Sequence, residues 1–534
     1  MKKEDKAKTA KDMALEQRAI SVAEFFEKNR HLLGFDNPSK ALLTVVKEAV
    51  DNSLDACEEA NILPEIEVEI KELEENRYKI TVEDNGPGIL RDQIPRIFAK
   101  LLYGSKFHRL RQSRGQQGIG ISASVLYAQL TTGHPAIIYS KPNKNGKVHV
   151  FHLKIDILKN EPEILKEDLI ESGIKHPTGT KISIIIEGKY IQRYHSPYEY
   201  IKQTAIVNPW AHIKYKSPTG EVFDFPRAVN KLSKRPKEIK PHPYGVELGI
   251  LIRMLKSTKS RNISAFLQNE FSRVGANSAE EICRLAGIDL TRKPQSLTHE
   301  EQEKLLKAMQ RVKLMRPPTD CLSPIGEELL REGLSKEINA EFITTITRDP
   351  SVYRGIPFQI EAGIAYGGEL KKNEETGEQA KLMRFANKIP LLYDPSGCAI
   401  TKAVSSIRWR RYGLEQSGNA LPRGPVIILV HIASAWVPYT SESKEAIANY
   451  PEIIKEIKLA VQECARRMLM YIRKQTRVKR ETQRLSIFEN YIPLIIENAK
   501  ELAGIKTKID IQPIIEKVVK KDLVAHESKG KENN

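Results

Sequence analysis

The chain is poor in cysteine. Its five, Cys57, Cys283, Cys321, Cys398 and Cys464, are scattered, odd in number and never form a CxxC pair. That pattern argues against a disulfide framework and a structural zinc, and for a reducing interior. Cys57 and Cys464 fall on apolar helix faces and read as core residues. No apolar run reaches the roughly 18 residues that a membrane-spanning helix needs. Lys2, Lys3, Lys6 and Lys8 have no apolar segment behind them, so the N-terminus does not read as a secretory signal, and a cytoplasmic location is expected. No GxxxxGK[ST] occurs, which excludes a Walker-type phosphate loop. Internal repeats are absent too.

What the chain does have is length, charge and glycine at particular places. With 534 residues it can hold about three or four domains, and 40% hydrophobic residues are enough for packed cores. The net charge of +17 suits a polyanionic partner, most often nucleic acid, or solubility alone.

The most informative stretch is Lys47-Glu48-Ala49-Val50-Asp51-Asn52-Ser53-Leu54-Asp55-Ala56. It lies late in an expected helix that Asn37 can cap and Pro38 can begin. At helical spacing Leu43, Val46, Val50, Leu54 and Cys57 share one face, and Glu48, Asn52 and Asp55 share the opposite one. By itself that outer face reads equally as a solvated surface or as a set of reacting groups. Three further stretches change the balance. Val82-Glu83-Asp84-Asn85-Gly86-Pro87-Gly88-Ile89 follows a strand-like run, and Gly115-Gln116-Gln117-Gly118-Ile119-Gly120-Ile121-Ser122 is glycine-rich. Thr178-Gly179-Thr180 precedes another strand-like run.

In this order and spacing the four stretches resemble the nucleotide-binding motifs of the GHKL ATPase superfamily, which includes gyrase, heat-shock chaperones, histidine kinases and mismatch-repair ATPases. The resemblance implies ATP and Mg²⁺. Glu48 would polarise the attacking water, and Asn52 would be the metal ligand, an amide oxygen being suited to a hard cation. Asp84 would accept a hydrogen bond from the adenine amino group, with Gly86 and Gly88 turning the backbone beside the base. Gly115, Gln116, Gln117, Gly118, Ile119, Gly120, Ile121 and Ser122 would form a lid around the phosphates. Ser105 and Lys106 would add a nucleotide contact, and Thr180 would support the adenine side.

Further along, Pro226 to Pro243 breaks secondary structure and reads as a linker. Residues 245–315 read as all helix, with expected capping boxes at Ser278/Glu281 and Thr298/Glu301, besides one at Ser21/Glu24 near the N-terminus, and a helix end at Gly287. Strand signals return at Pro357 to Tyr366, Leu382 to Tyr393 and Pro425 to Ala435. A helix then begins near Pro451 with one apolar stripe, and a basic run from Arg473 to Arg484 lies beyond it. Residues 1–20 are polar and expected to be mobile, and Lys529 to Asn534 to be disordered.

This order, together with Ala23-Glu24-Phe25-Phe26, Leu102-Tyr103-Gly104-Ser105-Lys106, Lys240-Pro241-His242-Pro243-Tyr244-Gly245 and Trp409-Arg410-Arg411-Tyr412-Gly413, resembles the B subunits of type IIB DNA topoisomerases. That resemblance implies an α+β chain: an N-terminal dimerisation strap (1–20), a Bergerat-fold ATPase sandwich (21–228), a helix-two-turns-helix insert (229–318), an α/β transducer domain with a long C-terminal helix (319–475) and a basic extension (476–534). It further implies ATP-dependent self-dimerisation, double-stranded DNA as the other partner, and an A₂B₂ heterotetramer with a topoisomerase VI A subunit that cuts both strands. No DxD of a Toprim cleavage site occurs here, so cleavage falls to that partner. Lys444 matches the lysine by which such transducers reach the γ-phosphate. Ser122 stands where some relatives carry lysine, which puts that contact in doubt. Arg253, Lys256, Lys259 and Arg261 in the insert, with Arg408, Arg410 and Arg411, are candidate DNA contacts. A chaperone-like ATPase and a non-enzymatic DNA-binding scaffold remain the competing readings. DNA-stimulated hydrolysis separates the first, and turnover abolished by changing Glu48 the second.

Overall fold

The computed structural model describes residues 10–105, 109–115, 118–192, 194–371, 379–504, 510 and 513. Two units separate: residues 1–410 with 414–464, and residues 411–413 with 465–534.

Near the N-terminus a helix occupies Ala10–Glu16, within the segment expected to be mobile. The next helix, Val22–Lys28, is capped by Ser21, whose Oγ accepts the Glu24 N–H at 3.0 Å. Glu24 does not complete the expected capping box. Its carboxylate takes Arg18 at 2.8 Å and Lys28 at 3.0 Å instead, and charged donors are stronger partners than a neutral backbone N–H. The helix Pro38–Glu59 starts as expected, with Asn37 Oδ1 accepting the Lys40 N–H at 2.8 Å and proline in its first turn.

That helix packs on an eight-stranded sheet. Its strands are β1 (Glu65–Glu74), β2 (Arg77–Asp84), β3 (Ala136–Lys141), β4 (Val148–Asp156), β5 (Glu161–Ile170), β6 (Gly179–Glu187), β7 (His212–Lys216) and β8 (Val222–Phe225). The spatial order is β5-β4-β3-β6-β2-β1-β7-β8. Alternation decides which face is covered. Ile66, Val68 and Ile70 of β1, Tyr78, Ile80 and Val82 of β2, and Ile182, Ile184 and Ile186 of β6 are buried in one core with Leu42, Val46 and Val50 of the helix. The antiparallel pairing of β2 with β6 sets Asp84 opposite Thr180.

The linker is irregular apart from an isolated bridge between Leu110 and Ile239. The helical insert then has its own core, built from Leu248–Ser257, Ile263–Glu270, Ala276–Ala286 and His299–Arg311, with Leu251, Phe266, Ile282 and Leu305 at its centre. The Thr298/Glu301 capping box forms, and Gly287 ends its helix at φ 69. The Ser278/Glu281 box does not, because the helix begins earlier, after Gly275, and places Ser278 inside it.

A second sheet follows, with β9 (Phe342–Thr347), β10 (Ser351–Tyr353), β11 (Ile356–Tyr366), β12 (Lys381–Ala386), β13 (Ile389–Pro390) and β14 (Val426–Ser434). Its order is β10-β11-β14-β12-β13, and β9 also pairs with β11. All nine residues of β14 are buried, as a central strand covered on both faces must be. The run expected as one strand from Leu382 to Tyr393 is instead a hairpin. Asn387 (φ 47) and Lys388 (φ 66) make its two-residue turn, the left-handed pair that matches strand twist.

The last helix runs Pro451–Ala503. Ile453, Ile457, Val461 and Cys464 are buried, with Cys464 Sγ 3.6 Å from the Ala362 carbonyl. In the second unit Arg473, Lys474, Arg477, Lys479, Arg480 and Arg484 are exposed, and the helix continues through Pro493. Lys529 to Asn534 lie outside the described residues. All five cysteines are buried, and none is joined in a disulfide.

Candidate active site

A cavity of about 550 Å³ opens between the helix Pro38–Glu59, strands β2 and β6, the glycine-rich segment before helix Gly120–Thr132, and the 442–445 loop of the second sheet's domain. Glu48, Asn52, Asp84, Thr180 and Lys444 all line it, as do Ser105, Gly115, Gly118, Ile119, Gly120 and Ile121. Gly88 and Ser122 do not. Gly88 shapes the wall instead: at φ 71 it lies so close to Lys141 that a Cβ would sit 2.5 Å from the Lys141 carbonyl oxygen. Ile89, the next residue, then reaches the cavity. Ser122 is buried, with its hydroxyl donating to the Ile119 carbonyl at 2.9 Å. Lys106, Gln116 and Gln117 lie outside the described residues.

Asp84 is part of the cavity wall. It is buried, and its Oδ1 accepts the backbone N–H groups of Gly86 (2.9 Å) and Thr180 (3.2 Å). Its Oδ2 accepts the Ser53 hydroxyl at 2.8 Å. Burial pushes the carboxyl up to about 6, against the pull of those donors. A carboxylate has about four lone-pair sites, so the three donors leave acceptor capacity for a ligand amine.

Glu48 and Asn52 sit one helical turn apart on the helix Pro38–Glu59. The Glu48 carboxylate lies against the first residue of the helix Gly120–Thr132: a Cβ on Gly120 would come 1.7 Å from Glu48 Oε2. Only glycine leaves room for the acid there. Asn52 Oδ1 is the atom that a Cβ on Gly115 would meet, at 3.8 Å. Behind these groups Asp51 is buried and pushed up to about 6 by burial, against the charge of Lys47, and it accepts the Tyr200 hydroxyl at 2.6 Å. Lys47 is lowered by burial and donates to the Ser443 carbonyl at 3.1 Å.

Asp55 departs from the expected exposed row. It is buried, and Arg114, just before the lid, binds it at 2.9 Å and Glu58 at 2.7 Å. Burial opposes the charge of Arg114, but Glu58 and Asp55 outweigh it and hold the guanidinium protonated. The Gly115 N–H donates to Asp55 as well, at 3.3 Å. The start of the glycine-rich segment is thus anchored to the helix. Sequence reasoning missed Arg114, Lys47 and Ser53. Their only signal was position: Lys47 and Ser53 lie inside the helical stretch, where their type does not mark a partner, and Arg114 lies in a loop beside Gly115, where there is no periodicity to betray it.

Lys444 arrives from far along the chain. It is buried at a left-handed φ of 55, and its Nζ donates to the Arg114 carbonyl at 3.0 Å. The loop is closed by the Thr440 N–H on Ala446 (3.0 Å) and fastened by the Lys40–Glu445 ion pair (2.5 Å). Among the described residues no cluster of three or more His, Cys, Asp or Glu could hold a metal ion. No helix there is long and apolar enough to cross a membrane.

Residues 37–157 match the family described as histidine kinase-, DNA gyrase B- and HSP90-like ATPase, and residues 317–484 match the topoisomerase VI B subunit transducer. The type 2 DNA topoisomerase 6 B subunit of Methanococcoides burtonii is 50% identical over 96% of this chain and 82% of its own length. The proteins of the same name from Archaeoglobus fulgidus and Pyrococcus furiosus are 48% and 40% identical, over 95% and 93% of this chain and 83% and 93% of their own lengths.

Proposed function

This chain belongs to the family of type 2 DNA topoisomerase 6 B subunits, and from that premise we propose how its residues divide the work of ATP-driven DNA strand passage. It is an ATP-hydrolysing subunit with a GHKL ATPase domain and a transducer domain. The observation that carries the residue assignment is that Glu48, Asn52, Asp84 and Lys444, from both sheet domains, line one cavity.

Asp84 accepts the adenine amino group with its remaining lone pair. The lid wraps the phosphates with backbone N–H groups leading into helix Gly120–Thr132. Asn52 presents an amide oxygen at the phosphate end, which fits Mg²⁺, a cation that takes one or two protein oxygens and completes its shell with phosphates and water. Bound there, the ion would neutralise charge building on the β- and γ-phosphates. Glu48 orients the attacking water and takes its proton. Lys444 contacts the γ-phosphate, which as an anion outcompetes the Arg114 carbonyl for the ammonium. Loss of the phosphate returns Lys444 to that carbonyl and frees the transducer to move.

The domain boundaries follow the same reading: strap 1–20, ATPase 21–228, insert 229–318, transducer 319–475 and basic extension 476–534. ATP draws two copies together, with the strap crossing between them. The insert holds duplex DNA through exposed Arg253, Lys256, Lys259 and Arg261, and a separate A subunit cuts both strands within an A₂B₂ assembly. The test is Lys444→Ala, followed by hydrolysis rate and by small-angle scattering with and without a non-hydrolysable ATP analogue. Slower hydrolysis and a lost nucleotide-dependent change are expected; wild-type values for both would overturn the role.

A further inference from the structure

The turn Asn387-Lys388 uses a residue that neither backbone nor burial favours. The second position of such a turn usually takes glycine, which reaches positive φ without strain. Lys388 sits there at φ 66 with its amine buried, and burying an ammonium is costly unless it is partnered. It is partnered by several segments. Its Nζ donates to Ser233 of the linker (2.6 Å) and to Ser323, where the transducer begins (3.1 Å). It lies 3.7 Å from Glu58 of the helix Pro38–Glu59 and 4.9 Å over the ring of Trp210. Burial lowers the amine, and Glu58 pulls it back up.

The backbone of the turn is tied just as firmly. The Lys388 N–H donates to His431 Nε2 at 2.9 Å. Since a backbone N–H can only donate, Nε2 is the acceptor, and His431 Nδ1 carries the proton given to Glu361 at 2.7 Å. Asn387 Nδ2 donates to the Ser434 carbonyl (3.0 Å) and to the Ser113 carbonyl (3.1 Å), one residue before Arg114. Arg114 therefore meets two lysines of the same sheet domain: Lys444 on its carbonyl, and Lys388 through the shared carboxylate of Glu58.

We propose that Lys388 is a positioning residue that couples the base of the lid to the transducer sheet, through Glu58 and Arg114 on one side and His431 and Glu361 on the other. It touches no reacting atom. Displacing Arg114 with the lid changes what Lys388 is paired with, and the rigid hairpin passes that change to β14. The proposal rests on the reading that the transducer responds to the state of the nucleotide.

The test uses the full chain assembled with its cleavage partner and supercoiled plasmid. Lys388→Met keeps the length and removes the charge. Nucleotide affinity and basal hydrolysis should stay within about twofold, since Lys388 is not among the residues that line the cavity. Plasmid relaxed per ATP consumed should fall by about fivefold or more, the size of an ordinary coupling between sites. Because the single variant leaves a carboxylate short of a counter-charge, Lys388→Met with Glu58→Gln restores neutrality and is the folding control. If the double variant melts like wild type and still relaxes less per ATP, the coupling role stands. If either folded variant keeps the wild-type ratio, the role is wrong. Failure of the underlying reading looks different: Lys444→Ala would then leave hydrolysis and the scattering change intact.

Discussion

Asp84 in the proposed nucleotide pocket and Glu361 in the transducer sheet are both buried acids, and burial leaves them in opposite conditions. Asp84 has three protein donors and a carboxyl pushed up to about 6. Burial opposes ionisation of Glu361 as well. Yet the hydrogen bond from His431, joined by the N–H groups of Ile325 (2.8 Å) and Gly326 (2.7 Å), holds it below the usual carboxylate range, and the Thr347 hydroxyl donates to it at 2.8 Å. The difference separates a site from a joint. An acid with spare acceptor capacity waits for a ligand, at a cost to stability. An acid whose lone pairs are filled from its own chain holds parts together. Pocket changes should therefore cost function, and core changes should cost folding.

The largest effect that can break this division is on turnover. Glu48→Ala should lower hydrolysis by about 10²–10⁴-fold, the usual loss for a general base, while nucleotide still binds and the melting temperature stays put. Wild-type turnover would remove Glu48 from the mechanism. Next is Glu361→Ala, which strands His431 and two buried N–H groups. It should destabilise the chain by about 1–3 kcal/mol, read by urea denaturation, the cost of leaving buried hydrogen-bonding groups without a partner. A small loss would mean that the joint is not held by this acid.

Asp84→Asn sharpens the contrast. The amide oxygen can still accept from Gly86 and Thr180, so the fold should survive. Nucleotide affinity should drop by about 1–3 kcal/mol, the cost of a lost or mismatched buried hydrogen bond. The same group gives a pH signature. Its folded value of about 6 lies above the ordinary 3.8, so between those two values the folded protein holds a proton there that the unfolded chain has lost. Its stabilising contribution is complete below the ordinary value and is lost as pH rises through about 6, and Asp51 adds in the same sense. Glu361 runs the other way: its contribution is present above the ordinary carboxylate value and is lost in acid. Adenine needs the ionised acceptor, so affinity should weaken by up to about tenfold per unit as pH falls below 6. Labelled-nucleotide titrations at several pH values check it, and Asp84→Asn should flatten the profile.

The smallest expected effect concerns the surface. Neutralising Arg253, Lys256, Lys259 and Arg261 should reduce the salt dependence of DNA binding by about 0.9 in slope for each true phosphate contact. An unchanged slope would make them solvating charges only.

Much of the pocket was legible in the linear chain. The helix cap at Asn37, its apolar face and the glycines at 88 and 120 follow from rules that act over a few residues: rotation per residue, side-chain size and allowed φ. The helical insert was legible for the same reason, since each short helix carries its own stripe. Boundaries were less so. Glu24 abandoned its cap for two nearby cations, Arg18 and Lys28, because charged donors outweigh a neutral N–H. The strand from Leu382 broke at Asn387-Lys388, whose partners at Ser113, Ser233 and His431 lie far along the chain.

The order of the motifs, the strand alternation and the residue types at the pocket are determined by the sequence alone, since each depends on neighbours a turn or a strand apart. Only the tertiary structure decided which charges are buried and with whom. Asp55 became an anchor because Arg114, 59 residues away, folds onto it. Lys444 became part of the pocket because its loop, 330 residues beyond Arg114, folds back so that its amine bonds the Arg114 carbonyl. Burial raises the cost of an unpaired charge and the strength of a paired one, so the meaning of these residues is set by a partner that the linear order does not place beside them.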